Sequence, residues 1–143
     1  MHKLLMRVLD LLILSSAAAL FGAVLTSVLS TDTFGWLIPD APYPYGPRDF
    51  YVEAVLAGLA GVIALALAER SVRLRQSSPW RILATFAAAL ITLYLAPPSP
   101  QAFGNTWAPG EATRELFLGQ WRIVLPIALA VTALRSGVHR VMR

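Results

Sequence analysis

Between Leu11 and Thr31 the chain reads LLILSSAAALFGAVLTSVLST, a run of 21 residues without one charged side chain. An α-helix needs about 20 predominantly apolar residues to cross the hydrocarbon core of a bilayer. Basic Lys3 and Arg7 precede the run, as they would in a secretory signal. The apolar core of such a signal is only about 7–15 residues long, however. We therefore predict that this segment is a transmembrane helix.

The composition of the whole chain agrees with a membrane protein. Of its 143 residues, 57% are hydrophobic and 14% are charged, whereas a soluble domain carries about 25% charged residues. The mean hydropathy is +0.62 and the sequence pI is about 10.1. A basic chain can bind nucleic acid, but here the basic residues flank apolar blocks and form no stripe. Composition therefore argues against a soluble enzyme and against nucleic acid as a partner.

Three further apolar blocks follow, and each contains a single charged residue: Glu53 in 50–68, Arg81 in 80–96 and Arg122 in 116–134. With the first block they predict four transmembrane helices. The predicted helices span 5–31, 50–70, 79–96 and 114–137, with outer loops at 32–49 and 97–113 and an inner loop at 71–78.

The basic residues predict the orientation. In a four-crossing topology, nine of the twelve Lys and Arg residues fall on the side of the two termini and of loop 71–78. Cytoplasmic loops carry an excess of Lys and Arg, so both termini are expected in the cytoplasm. The predicted fold class is an all-α integral membrane protein, a single domain of four transmembrane helices over 1–143.

Residue types at the predicted helix ends support these boundaries. Ser78 before Pro79 is a favourable start for the third helix, and Asp49 and Thr113 are candidate N-caps for the second and fourth. The sequence Pro97-Pro98-Ser99-Pro100 ends the third helix, because proline cannot continue one.

Reactive groups are scarce within the apolar blocks. The two histidines, His2 and His139, lie near the chain ends, and there is no cysteine. The serines of the first block have no histidine or lysine within the membrane to act as a base. We therefore expect no enzymatic activity, no cofactor and no metal site.

Two charged residues near the inner border have a simple predicted arrangement. Asp10 follows Arg7 by three residues, so the two side chains share one helix face and can form an ion pair.

Arg122 is harder to place. It precedes Arg135 by 13 residues, about 20 Å of helix, whereas the hydrocarbon core is about 30 Å thick. One interpretation is an interfacial anchor beside Trp121, in which case the long side chain of Arg135 extends to the inner membrane surface. The other is an ion pair with Glu53, which would tie the fourth helix to the second or to another subunit.

Small residues recur at four-residue spacing. Gly58 follows Ala54, and Gly61 follows Ala57, on the predicted second helix. Such faces allow the close backbone approach that drives helix association in lipid. We expect some of them to contact a different polypeptide. Pro126 lies within the fourth helix, where a kink is expected.

The outer loops are rich in aromatic residues and proline, as in Pro42-Tyr43-Pro44-Tyr45-Gly46-Pro47. Amphipathic rings favour the headgroup region, so these residues can be an aromatic belt. Alternatively, the proline-stiffened loops form a docking platform for a periplasmic partner.

Two segments resemble the small four-helix membrane subunit of tripartite ATP-independent periplasmic (TRAP) transporters. The opening LMRVLDLL at 5–12 is similar to that family's basic, leucine-rich start, and LPIALA at 125–130 followed by Ala133-Leu134-Arg135 is similar to its last helix. Glu53 near the start of the second helix also fits. The resemblance implies a non-catalytic scaffold in the bacterial inner membrane that braces a larger transport subunit.

The sequence thus predicts an accessory subunit whose partners are lipid and a larger integral membrane subunit. Its candidate contact residues are Glu53, Arg122, Asp10, Arg7, Gly58, Gly61 and Pro126. An accessory subunit of a respiratory or photosynthetic electron-transfer complex is the alternative. A homo-oligomeric channel is disfavoured because no helix shows a polar stripe.

Overall fold

The computed structural model describes residues 1–39, 46–71 and 76–142, and every regular element in these ranges is helical. This confirms the all-α class. Four long or medium helices and one short helix follow in chain order: α1 His2–Thr31, α2 Pro47–Ala68, α3 Ser78–Tyr94, α4 Glu111–Leu116 and α5 Trp121–Val141. Two short 3₁₀ helices, Pro100–Phe103 and Leu118–Gln120, complete the described elements.

Three of the described helical stretches are long and apolar enough to cross a membrane: Lys3–Thr31, Pro47–Ala68 and Glu111–Val141. They are compatible with a multi-pass membrane protein. α3 has 17 residues, a length of about 26 Å at 1.5 Å per residue.

The helices pack as an antiparallel bundle around α1, which contacts α2, α3 and α5. α3 lies between α2 and α5, so α2 and α5 are on opposite sides of the bundle. Both chain termini are at one end, which we call the terminal end; the opposite end carries the 97–117 segment. The core is formed by apolar residues of the four longer helices α1, α2, α3 and α5, including Leu14, Leu65, Leu93 and Ala128.

Small residues form the contact between α1 and α2. A Cβ built on Gly58 would overlap the Ser15 hydroxyl and lie 2.8 Å from the Ser15 backbone nitrogen. A Cβ on Gly61 would overlap the Thr92 hydroxyl of α3 and lie 3.0 Å from Leu14. Both glycines therefore face neighbouring helices of the same chain, although we expected some small-residue faces to contact another polypeptide.

Two helix starts differ from the predicted ones. α2 begins at Pro47, so Asp49 is its third residue and not its N-cap; the Asp49 carboxylate accepts a hydrogen bond from the Gly46 backbone N–H at 3.1 Å. α3 already includes Ser78, and Ser77 occupies the N-cap position.

The predicted fourth helix is divided in two. α4 begins at Glu111, which places Thr113 inside the helix, and the chain leaves helical geometry at Phe117 before α5 starts at Trp121. Phe117 turns toward the core, where its ring packs edge-on against Phe21 and Tyr94 at centroid distances of 6.5 and 5.4 Å. This aromatic packing holds the break. α5 then continues through Pro126 to Val141.

The close contact at Gly58 predicts that Gly58→Ala destabilises the bundle. The added methyl group forces α1 and α2 apart, and overpacking of this kind costs about 1–3 kcal/mol. The free energy of unfolding, measured by circular dichroism during SDS titration of mixed micelles, should fall by that amount.

Gly137→Ala is the matched control, because nothing lies within 4 Å of the position where its Cβ would stand. It should leave the unfolding free energy unchanged or raise it by up to about 1 kcal/mol through helix propensity. Equal effects of the two substitutions would contradict the packing described above.

Candidate functional site

Charged side chains converge inside the bundle near its terminal end. Arg7 and Asp10 come from α1, Arg135 and His139 from α5, and Glu69 from the residue that follows α2. Asp10 is 2% exposed and Arg135 is 6% exposed, so both charges are withdrawn from the surface of the chain. We call these five residues, with Thr85 of α3, the charge cluster.

Arg135 and Asp10 form the centre of the charge cluster. The Nε of Arg135 donates to Oδ1 of Asp10 at 2.8 Å, and its Nη2 donates to Oδ2 at 3.2 Å. Two parallel bonds between a guanidinium and a carboxylate fix both distance and orientation. The pair joins α1 to α5 at a defined register.

The same guanidinium reaches two further parts of the bundle. Its Nη1 donates to Oγ1 of Thr85 on α3 at 2.8 Å, and its Nη2 donates to Oε1 of Glu69 at 2.8 Å. Thr85 in turn donates its hydroxyl proton to the Arg81 carbonyl at 2.9 Å. One planar side chain therefore connects α1, α3, α5 and the end of α2.

The remaining members complete the charge balance. Arg7 donates to Glu69, and its Nη1 lies 3.6 Å from Oδ2 of Asp10. Nε2 of His139 lies 3.4 Å from Oδ1 of Asp10. Two arginines face two carboxylates, so the charge cluster carries no net charge when His139 is neutral. Such balance is required where burial would otherwise leave a charge uncompensated.

The predicted contact between Arg7 and Asp10 is present, but it is not the main interaction of Asp10. The position of Arg135 near the basic chain end predicts a side chain that reaches out of the membrane. The structure buries it instead. One sequence feature could have predicted this contact. Arg135 and Asp10 have opposite charges, and each lies several residues inside a helix, near the same end of the bundle.

Arg122 and Glu53 lie apart. Arg122 is exposed, and its guanidinium carbon stands 5.8 Å from the centroid of the Trp121 ring, within range of a cation–π interaction. This corresponds to the interfacial-anchor interpretation. Glu53 lies on α2, across the bundle from α5, and within the described part of the chain no ion pair joins it to Arg122.

Glu53 instead lines a cavity of about 530 Å³ at the end opposite the termini. Most of its wall is apolar, including Phe21, Leu56 and Phe117. A hydrogen bond between the Tyr94 and Thr113 hydroxyls, 3.2 Å apart, joins the 97–117 segment to α3, and within the segment Trp107 Nε1 donates to the Pro100 carbonyl at 3.0 Å. Residues 40–45, which carry most of the predicted proline- and tyrosine-rich platform, lie outside the described residues.

No protein-family model, no curated protein and no solved structure matches the chain.

The geometry of the charge cluster favours a structural role. Four of the five N–H directions of the Arg135 guanidinium have acceptors. In the ranges that the structure describes, no group of three His, Asp or Glu side chains is arranged to hold a metal ion. What the charge cluster can do is hold the helices at one relative position.

Removing one side of the central pair should be far more damaging than removing both. Arg135→Gln leaves Asp10 buried without its main partner, which typically costs about 3–5 kcal/mol. The double substitution Asp10→Asn with Arg135→Gln leaves two neutral groups that can still hydrogen bond, and it should recover part of the lost unfolding free energy in SDS titration.

Arg122→Gln controls for loss of an arginine from the same helix at an exposed position, and it should change the unfolding free energy by less than about 1 kcal/mol. If Arg135→Gln behaves like Arg122→Gln, the charge cluster does not stabilise the bundle.

Proposed function

We propose that the chain is an integral membrane protein of four transmembrane helices with both termini in the cytoplasm, and that it serves as a non-catalytic accessory subunit. More specifically, we propose that it is the small scaffold subunit of a secondary transporter in the bacterial inner membrane. The observation that carries the proposal is a bundle whose buried charges neutralise one another while its exterior is apolar.

The orientation is supported by the position of basic residues. Of the nine Lys and Arg residues that the structure describes, six lie toward the terminal end, and only Arg48, Arg114 and Arg122 lie toward the opposite end. The excess of positive charge favours the cytoplasmic side for this end. α3, at about 26 Å, would then cross the bilayer with help from Trp80 and Tyr94, which are exposed near its two ends.

The apolar exterior supports a protein that is surrounded by lipid and by neighbouring helices. On α2, one face is formed by large exposed residues spaced three or four apart: Val52, Val55, Leu56, Leu59, Ile63 and Leu67. The opposite face carries buried Ala54, Ala57, Gly58 and Gly61. Small residues, with Phe50 and Leu65, thus pack within the chain, and the exposed face of large residues is available to lipid or to a larger subunit.

The charge cluster supports a role without transport chemistry of its own. Transport pathways place ionisable side chains against a cavity at membrane depth. Asp10 and Arg135 bond to each other and to Glu69 and Thr85, and the pocket that Arg135 touches has a volume of only about 80 Å³. These bonds favour a rigid brace over a group that binds and releases a substrate.

The end opposite the termini supports a contact on the periplasmic side. There the 97–117 segment packs on α1 and α3 through Phe117, whose ring contacts Phe21 and Tyr94. Exposed aromatic side chains at this end include Phe34, Trp36, Tyr94 and Trp121. They suit recognition of a partner protein, because aromatic side chains are enriched at such interfaces.

Gentle solubilisation of a tagged chain from its native membrane should test the proposal. A permease with ten or more transmembrane helices is expected to co-purify, and the complex should show no visible absorption band. Co-purification of haem- or chlorophyll-bearing chains would contradict it and favour an electron-transfer complex.

Because the chain has no cysteine, single cysteines can locate the contact face. Leu59→Cys on α2 and Leu129→Cys on α5 are both exposed and lie on opposite sides of the bundle. One of them should cross-link to the permease in membranes and the other should serve as the control. Equal and negligible cross-linking from both positions, with no permease recovered, would contradict the scaffold role.

A further inference from the structure

A second feature of the terminal end is a small pocket between α3 and α5. Its volume is about 80 Å³, far below the roughly 300–1,000 Å³ of sites for drug-sized ligands. Ser78 and Arg81 of α3 form one wall, and Ser136, His139 and Arg140 of α5 form the other. Arg135 lies at its base, with its positive charge already matched by Asp10 and Glu69.

The pocket is electropositive. None of the described residues that line it is acidic. Among the residues that the structure describes, neither Arg81 nor Arg140 forms an ion pair with a carboxylate. The hydroxyl groups of Ser78 and Ser136 add hydrogen-bond donors to the same walls. Two arginines and two hydroxyls around a space of this size suit a single phosphate group, which arginine binds through paired hydrogen bonds.

The surroundings of the pocket favour a phosphate that carries acyl chains. Ile82 lines the pocket and is 44% exposed. Leu129 of α5, seven residues before Ser136 and therefore on the same helix face, is also exposed. A free anion gains nothing from apolar side chains, whereas the acyl chains of a phospholipid can lie along them toward the membrane interior.

We propose that this pocket binds the phosphate group of an anionic phospholipid in the leaflet at the terminal end. Basic pockets between transmembrane helices bind anionic headgroups by this combination of charge and depth. The proposal goes beyond the accessory role. It requires that the terminal end lies at the membrane surface, but it does not depend on the identity of the larger subunit.

Native mass spectrometry of the full chain tests the site. The detergent-solubilised chain is mixed with equal amounts of phosphatidylglycerol and phosphatidylcholine that carry the same acyl chains, and it is then released from detergent in the mass spectrometer. The chain should retain phosphatidylglycerol preferentially. Arg81→Gln with Arg140→Gln should weaken retention of phosphatidylglycerol by about 30-fold, since each arginine near an anionic headgroup contributes about a factor of five. Arg114→Gln with Arg122→Gln removes the same charge at the opposite end and should leave retention unchanged.

Ser136→Leu distinguishes binding in the pocket from general attraction of anionic lipid to the positively charged surface. It fills the space without altering the charge, so it should also abolish the preference for phosphatidylglycerol. Circular dichroism and gel filtration establish that each variant is folded, and the arginine pair remains as an independent probe if Ser136→Leu is unstable. If folded Ser136→Leu and the folded double arginine variant both retain the preference, the proposal is wrong.

Competition with inorganic phosphate distinguishes a phospholipid from free phosphate as the ligand of the pocket. At a few millimolar, inorganic phosphate should not displace phosphatidylglycerol, because it lacks the acyl-chain contacts. Displacement at that concentration would assign the pocket to free phosphate and overturn the lipid assignment.

Discussion

The guanidinium of Arg135 fixes the relative positions of the helices, because its bonds to Asp10, Thr85 and Glu69 each lead to a different part of the chain. Helices in lipid gain little from the hydrophobic effect, so packing and polar contacts must determine their register. The contacts of Gly58 and Gly61 bring α1, α2 and α3 together over their middle. The charge cluster then adds α5 and closes the terminal end.

This closure explains why the chain fits the role of a brace. A buried ion pair stabilises a fold weakly compared with well-packed apolar residues, but breaking it is costly, so its value lies in defining one arrangement. A bundle held in one arrangement presents a constant surface to a neighbour. Its exterior of leucine, isoleucine and valine supplies that surface, and the pocket beside Arg81 and Arg140 gives the terminal end a contact with the headgroup layer.

The amount that could be predicted from the sequence differed between elements. The end of α1 at Thr31 agrees with the prediction, because Thr31 is the last residue of the uncharged run. The break at Phe117 was not predicted, because the packing of its ring against Phe21 and Tyr94 depends on residues that are distant in the sequence. Arg135 and Asp10 are 125 residues apart in the sequence. The spacing of residues along a helix predicts pairs within that helix, such as Arg7 with Asp10, but it does not predict which charged residues of different helices are in contact.

The most direct test of a closed and charge-balanced bundle is the ion and proton permeability of liposomes that contain the chain alone, measured with a pH-sensitive dye and a potassium gradient. A closed bundle should give a leak no greater than that of empty liposomes, for the unmodified chain and for Arg122→Gln alike. A proton or ion flux that Asp10→Asn abolishes and Arg122→Gln preserves would show that the bundle is open and that Asp10 belongs to a conduction pathway.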